Sequence, residues 1–203
     1  DYPGWKPSGV STWLHFKYPA QGNWKLEIVR GCLSRIAGID DVELGWREDS
    51  SLRTGYRTRA EFHGDGKLFG FYALASHDIV DTARCPLCHP AMNQALAALR
   101  ELGLKGSVTV TVNPEGEEVL VWTGFQSRRL KDRFPLAGSS KDEHAPARFM
   151  FDGVPVVNGG FSQSSLLLNR LLIETVHQYA GKPSSVLDLY CGNGNLSLTL
   201  PER

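Results

Sequence analysis

One acid and two glycines carry the clearest chemistry in this chain, in the run Asp188-Leu-Tyr-Cys-Gly-Asn-Gly-Asn195. Ahead of it, Val186 and Leu187 join Leu189 to read as a buried strand, which breaks into a turn at Gly192 and Gly194. A hydrophobic turn, Leu196 to Leu200, follows. Glycine at those two positions lets the backbone bend sharply and approach a ligand, because no Cβ intervenes. A loop of this kind serves binding of a nucleotide-type ligand. A dinucleotide fingerprint calls for a third glycine at position 197, where Ser197 stands. An ordinary strand, turn and helix has the same spacing, so the glycines alone leave both readings open.

Two further groups could do chemistry. Cys85-Pro-Leu-Cys88-His89 has the spacing of a haem-attachment motif. Such haems are attached outside the cytosol, nothing here looks secretory, and Pro90 starts a helix at once. Zinc would need one more ligand, and no second ligand pair is in view. The basic residues fall into two sets. Arg53, Arg57 and Arg59 lie near one hairpin, with Arg57 and Arg59 on one strand face opposite Thr58. Arg128, Arg129, Lys131 and Arg133 lie between Phe125 and Phe134, a mixture suited to phosphate contacts and base stacking. Plain solvated surface is the alternative for both sets.

The elements that position these groups can be read in turn. A helix is expected from Trp24 to about Ala37, with Leu26, Val29, Leu33 and Ile36 on one stripe and Gly38 as its stop. Strands Arg57 to His63 and Leu68 to Leu74 flank a Gly64-Asp-Gly66 turn. Pro90 suits the first turn of a helix running to Leu102, with Met92, Leu96 and Leu99 inward and Gly103 after its end. Val108, Val110 and Val112 alternate with Thr109 and Thr111, turn at Asn113-Pro-Glu-Gly116, and return as Val119 to Trp122. Residues 125–147 read as polar and irregular. Strands near Arg148–Phe151 and Val154–Val157 lead into a helix over Ser164–Ala180, closed by Gly181.

Composition sets the bounds. At 203 residues, 41% hydrophobic and 22% charged, the chain can bury one good core or two modest ones. No apolar run approaches the roughly 18–20 residues of a membrane span, and no charged-then-apolar signal sequence opens the chain. The four cysteines form no framework pattern, which fits reduced thiols in a cytoplasmic protein. Net charge is zero, so binding of nucleic acid would need local basic patches. Residues 1–22 read as irregular and 23–155 as an α+β domain with antiparallel hairpins. Residues 156–203 open as helix, strand and glycine turn, as an α/β doubly wound sheet begins.

The glycine run, taken with its neighbours, resembles the RNA 5-methyluridine methyltransferases, which use S-adenosylmethionine to methylate C5 of uracil in ribosomal or transfer RNA. Asp188-Leu-Tyr-Cys-Gly-Asn-Gly-Asn-Leu-Ser-Leu is similar to their cofactor loop, with an aromatic at Tyr190 where most α/β methyltransferases have Gly. Phe161-Ser-Gln163 is similar to their Phe-x-Gln-x-Asn segment. Tyr56-Arg-Thr-Arg-Ala60, Gly70-Phe71, Asp78-Ile-Val80 and Cys85-Pro86 follow the order of their central domain. Tyr18-Pro-Ala-Gln21, Lys25 and Leu33-Ser-Arg-Ile-Ala-Gly38 make a fourth block. The likeness covers nearly the whole chain.

The resemblance implies a central RNA-binding domain followed by the start of a Rossmann-like methyltransferase domain. It places Gln163, Tyr190, Asn195, Asp188, Gly192 and Gly194 at S-adenosylmethionine, and RNA at Arg57, Arg59, Arg128, Arg129, Lys131 and Arg133. Ser165 stands where the family usually has Asn. In the family a cysteine thiolate adds to C6 of uracil, C5 takes the methyl group, and a base removes the C5 proton. Those two groups lie downstream of the glycine loop. The expectation is therefore an incomplete catalytic domain and an inactive chain, with Cys191 a cofactor-loop residue. Some family members hold an iron–sulfur cluster. Aligning Trp13-Leu-His15 puts Tyr2, Ser8 and Ser11 where three of its cysteines would be, so no cluster is expected from Cys85 alone. Ribosomal RNA is favoured over transfer RNA on the Cys85-Pro86 segment. An RNA-binding module without catalysis, or a methyltransferase for another substrate, remains the alternative.

Overall fold

The computed structural model describes residues 9–200, so Tyr2 and Ser8 lie outside the described residues. The element that anchors the fold is the helix α2, Pro90–Glu101. Proline at its first position has no N–H to leave unpaired, and the His89 imidazole accepts from the Ala91 N–H at 3.3 Å. Gly103 follows at φ +57, a left-handed exit from the helix. Met92, Ala95, Leu96 and Leu99 form one apolar stripe, all buried.

That stripe covers one face of a six-stranded sheet with strand order β3-β2-β1-β4-β5-β6. The strands are β1 Arg59–Asp65, β2 Phe69–Tyr72, β3 Ile79–Asp81, β4 Lys105–Val112, β5 Val119–Thr123 and β6 Ala137–Ser139. All pairings are antiparallel except β5 with β6. Val108, Val110 and Val112 point into the core as their alternation predicts, beside Phe62 and Val121. The opposite face carries a smaller core. Leu120, the neighbour of Val121, packs there with Phe149, Phe151, Val156 and Leu166. Phe149, Phe151 and Val156 come from a separate hairpin, β7 Arg148–Phe151 with β8 Val154–Val157, and Leu166 opens α4, Leu166–Ala180. The hairpin bounds match the sequence expectation, and β8 lies across position 155/156.

Four local expectations differ from the fold. The first helix, α1, begins at Tyr18 with Pro19 in its first turn, runs to Cys32 and continues as a π-turn over Leu33–Ala37 to Gly38 at φ +65. Its apolar stripe is not buried: Val29 and Ile36 are exposed. Periodicity sets a stripe, whereas burial needs a partner to lie on it. β2 is shorter than Leu68 to Leu74, and Gly64 and Asp65 belong to β1, with the Asp65 carboxylate accepting from Lys67 and Leu68 N–H in the turn. Residues 125–147 are not irregular throughout, since they hold α3, Arg128–Arg133, and β6. Finally, residues 186–189 form no strand. Leu187 is 82% exposed, because no other strand among the described residues pairs with this segment.

Candidate functional site

The segment ahead of α4 docks on the chain just before β1, and this joins two groups that are far apart in sequence. Thr58 is fully buried there. Its N–H donates to the Ser164 carbonyl at 2.9 Å, and its hydroxyl accepts from the Leu166 N–H at 2.9 Å. Arg57 and Arg59, one residue to either side, share a cleft of about 330 Å³ with Glu61, Thr109, Phe161, Ser162 and Gln163. Ser165 caps α4 by accepting from the Leu168 N–H at 3.2 Å.

The cleft combines half-buried positive charge with unspent polar groups. Arg59 donates to Thr111 Oγ1 at 3.0 Å, and burial lowers its pKa while Glu61 opposes that shift. Arg57 reaches the Val10 carbonyl through Nη2 at 3.1 Å, but its buried Nε has no hydrogen-bond partner among the described residues. The buried Ser162 hydroxyl is likewise unpartnered. Phe161 stands exposed at the rim. An anion with an attached aromatic ring suits such a lining, since guanidinium groups hold phosphate and an exposed ring stacks on a base.

The second basic set sits on α3, capped by Ser127 through the Leu130 N–H. Arg128, Arg129 and Arg133 are exposed. Lys131 is different, because its Nζ donates to Asp142 at 3.0 Å. Phe134 is buried and Phe125 packs on the main core, so neither ring offers the stacking surface expected of it. Asp142 is held at a pKa of about 2 by hydrogen bonds from Lys131 and Gln126 and by the Ser139 N–H at 2.9 Å. A carboxylate depressed below its ordinary value of 3.8 stabilises the fold above that value, and the contribution disappears as pH falls through about 2. The Ser139 amide resonance is therefore expected to titrate with a midpoint near 2. A midpoint at the ordinary aspartate value would mean that the network is not formed.

The glycine loop is placed elsewhere. Tyr190 at φ +60, Gly192 at φ +59 and Gly194 at φ +75 all adopt the left-handed conformation. For tyrosine that costs roughly 1–2 kcal/mol, and its ring is fully exposed. At Gly194 a Cβ would lie 2.4 Å from Leu198 Cγ, so any other residue would have to displace that exposed side chain and also hold a left-handed φ. Asn195 is engaged at both ends of its amide with Asn169 of α4, at 2.7 and 2.9 Å, which pins the loop to the helix. Asn193 donates to the Pro155 carbonyl at 3.1 Å. Asp188 is half-buried and Cys191 exposed. None of these loop residues lines the cleft of Arg57, Arg59 and Gln163.

Sequence reasoning missed Thr58, Asn169 and Asp142. Asn169 alone left a signal, as an amide directly after the apolar run Leu166 to Leu168. Cys85, Cys88 and His89 do not gather into a group of metal ligands among the described residues. No described helix is long and apolar enough to cross a membrane.

No protein-family model matches the chain. A 23S rRNA (uracil-1939-C5)-methyltransferase of Methylococcus capsulatus is 29% identical over 188 residues, covering 73% of this chain and 42% of that protein. A protein of Agrobacterium fabrum named as an uncharacterized RNA methyltransferase is 28% identical over 176 residues, with the same two coverages. Another 23S rRNA uracil-1939 methyltransferase, from Halomonas elongata, is 26% identical and covers 92% of this chain and 47% of its own. Among solved structures, the Pyrococcus abyssi tRNA (uracil-54, C5)-methyltransferase in complex with S-adenosylhomocysteine has a similar fold. The TM-score is 0.60 at 19% identity, covering 86% of this chain and 52% of that one. The chain spans about half the length of these relatives. Over the stretch that it spans, the chain is similar in sequence to RNA methyltransferases, two of them named for uracil C5 of 23S rRNA, and similar in fold to a third uracil-C5 enzyme.

Proposed function

We propose that the chain is the RNA-holding part and the opening of the cofactor site of an enzyme that transfers methyl from S-adenosylmethionine to C5 of uridine in RNA. The observation that carries this reading is the docking of Ser164 and Leu166 on Thr58, which sets Phe161 and Gln163 beside Arg57 and Arg59. The arginines suit a phosphate, Phe161 a base face, and the Gln163 amide a ring edge or a ribose.

Tyr190 supports the cofactor half of the reading. A tyrosine kept in a left-handed conformation with its ring in solvent accepts a backbone cost for which nothing in the fold compensates, as ligand-clamping residues do. We assign Tyr190 to packing on the cofactor, Asp188, Gly192 and Gly194 to the shape of the loop, and Asn195 to its anchoring. Gln163 faces the RNA cleft and reaches the cofactor only where the two ligands meet. The RNA is ribosomal, in keeping with the relatives named for 23S rRNA. The cleft supplies binding groups and, among the described residues, no cysteine lines it, so the nucleophile that adds to C6 comes from another part of the enzyme.

Photo-crosslinking tests the reading. RNA hairpins carrying 5-iodouridine are expected to crosslink to peptides containing residues 57–61 and 161–164, and Phe161→Ala to remove most of the yield at the second. Crosslinks found only outside both peptides would overturn the RNA cleft.

A further inference from the structure

Cys85 and Cys88 occupy the two ends of the turn that leads into α2, and each is 2% exposed. The Cys88 N–H donates to the Cys85 carbonyl at 3.2 Å, which closes a single β-turn. Such a turn holds its end Cα atoms within about 7 Å, overlapping the roughly 4.4–6.8 Å span of a disulfide. Asn93 locks the turn. Its Oδ1 accepts from the Cys85 N–H at 2.8 Å, and its Nδ2 donates to the Cys85 and Cys88 carbonyls, each at 3.0 Å.

The surroundings distinguish the two sulfurs. The two side chains interact across the turn, and the Leu87 and Cys88 N–H groups favour the Cys85 sulfur as the anion. Arg57, whose N–H donates to the Leu87 carbonyl and whose carbonyl accepts from His89, brings its positive charge to the pair. Together these lower the Cys85 pKa against the cost of burial, while the neighbouring Cys85 and burial push the Cys88 thiol up. Cys85 is thus the more acidic sulfur and the one suited to attack, and Cys88 is the one suited to resolve.

We propose that Cys85 and Cys88 form a redox site, a dithiol that closes to an intramolecular disulfide by exchange with a low-molecular-weight disulfide such as that of glutathione. The Cys85 thiolate attacks one glutathione sulfur, the glutathione S–S bond breaks, and a glutathione thiolate leaves. That thiolate takes up the proton of Cys88. The Cys88 sulfur then attacks Cys85, the mixed disulfide breaks, and the second glutathione leaves as a thiolate that protonates from solvent. Two protein thiols are oxidised and one glutathione disulfide is reduced to two thiols. Burial slows entry of the oxidant, which reaches the turn through local opening at the start of α2. The site's state is therefore read at equilibrium.

The test uses the full chain with the exposed Cys32 and Cys191 replaced, C32S and C191S, so that only the pair remains. The protein is equilibrated across a series of reduced-to-oxidised glutathione ratios, alkylated under denaturing conditions and weighed intact. Two alkyl groups at the reducing end and none at the oxidising end, with no glutathione adduct, is the expected result. Adding Cys88→Ser should convert the disulfide into a single glutathione adduct on Cys85. Two alkylatable thiols throughout the series, or a stable adduct while both cysteines are present, would overturn the proposal. The titration of the pair decides the matter even where the Cys88 variant fails to fold.

Discussion

Replacing Arg128, Arg129 and Arg133 together by alanine will flatten the salt dependence of RNA binding. Each neutralised phosphate on a single strand contributes about 0.7 to the slope of log affinity against log salt, so the loss should be about 2. The three side chains are exposed on one short helix and lack ion-pair partners among the described residues. Adding Lys131→Ala should change the slope far less, because the Lys131 charge is already matched by Asp142 at 3.0 Å. The expectation from sequence treated all four as equivalent, and the structure separates them. Fluorescence anisotropy with a uridine-rich hairpin between roughly 50 and 200 mM salt covers the range in which such slopes are measured. If the triple variant gave the parent slope, α3 would be solvated surface, and the RNA grip would lie wholly in the cleft of Arg57 and Arg59.

Elements written in local signals were legible in the sequence. The helix α2 follows from Pro90 and Gly103 at its ends and from Met92, Leu96 and Leu99 between them. The β4–β5 hairpin follows from alternating Val and Thr around Asn113-Pro-Glu-Gly116. The helix α3 went unread because six residues give less than two turns, too few for a period to emerge. The cleft was half legible. Period-2 spacing put Arg57 and Arg59 on one face, but their meeting with Gln163 depends on a hydrogen bond spanning 108 residues, from Leu166 to Thr58. The run Val186 to Leu189 misled for the opposite reason. Its composition is that of a buried strand, yet a strand exists only where another pairs with it. The Asn195 amide, which the resemblance placed at the cofactor, is engaged on both sides by Asn169, a pairing that no local pattern announces.

Phe62→Ala is expected to destabilise the fold by about 3–5 kcal/mol, the range for removing a large aromatic from a core that cannot collapse around the gap. Phe62 has no solvent exposure. Its ring lies 4.9 Å from that of Phe71 and 6.0 Å from that of Phe69, on a strand paired along both edges. Backbone pairing on two sides holds the walls of the cavity apart, which keeps the cost near the upper end. Leu187→Ala is the matched control. Removing a similar apolar group from a side chain 82% exposed should change stability by no more than about 0.5 kcal/mol. Urea midpoints at constant slope give both numbers on one scale. A Leu187 variant as damaging as the Phe62 variant would show that residues 186–189 are packed in solution, and that the strand reading of that segment was the sound one. A Phe62 variant costing under 1 kcal/mol would mean that the sheet and α2 do not enclose a common core, and the cleft built on the start of β1 would lose its support.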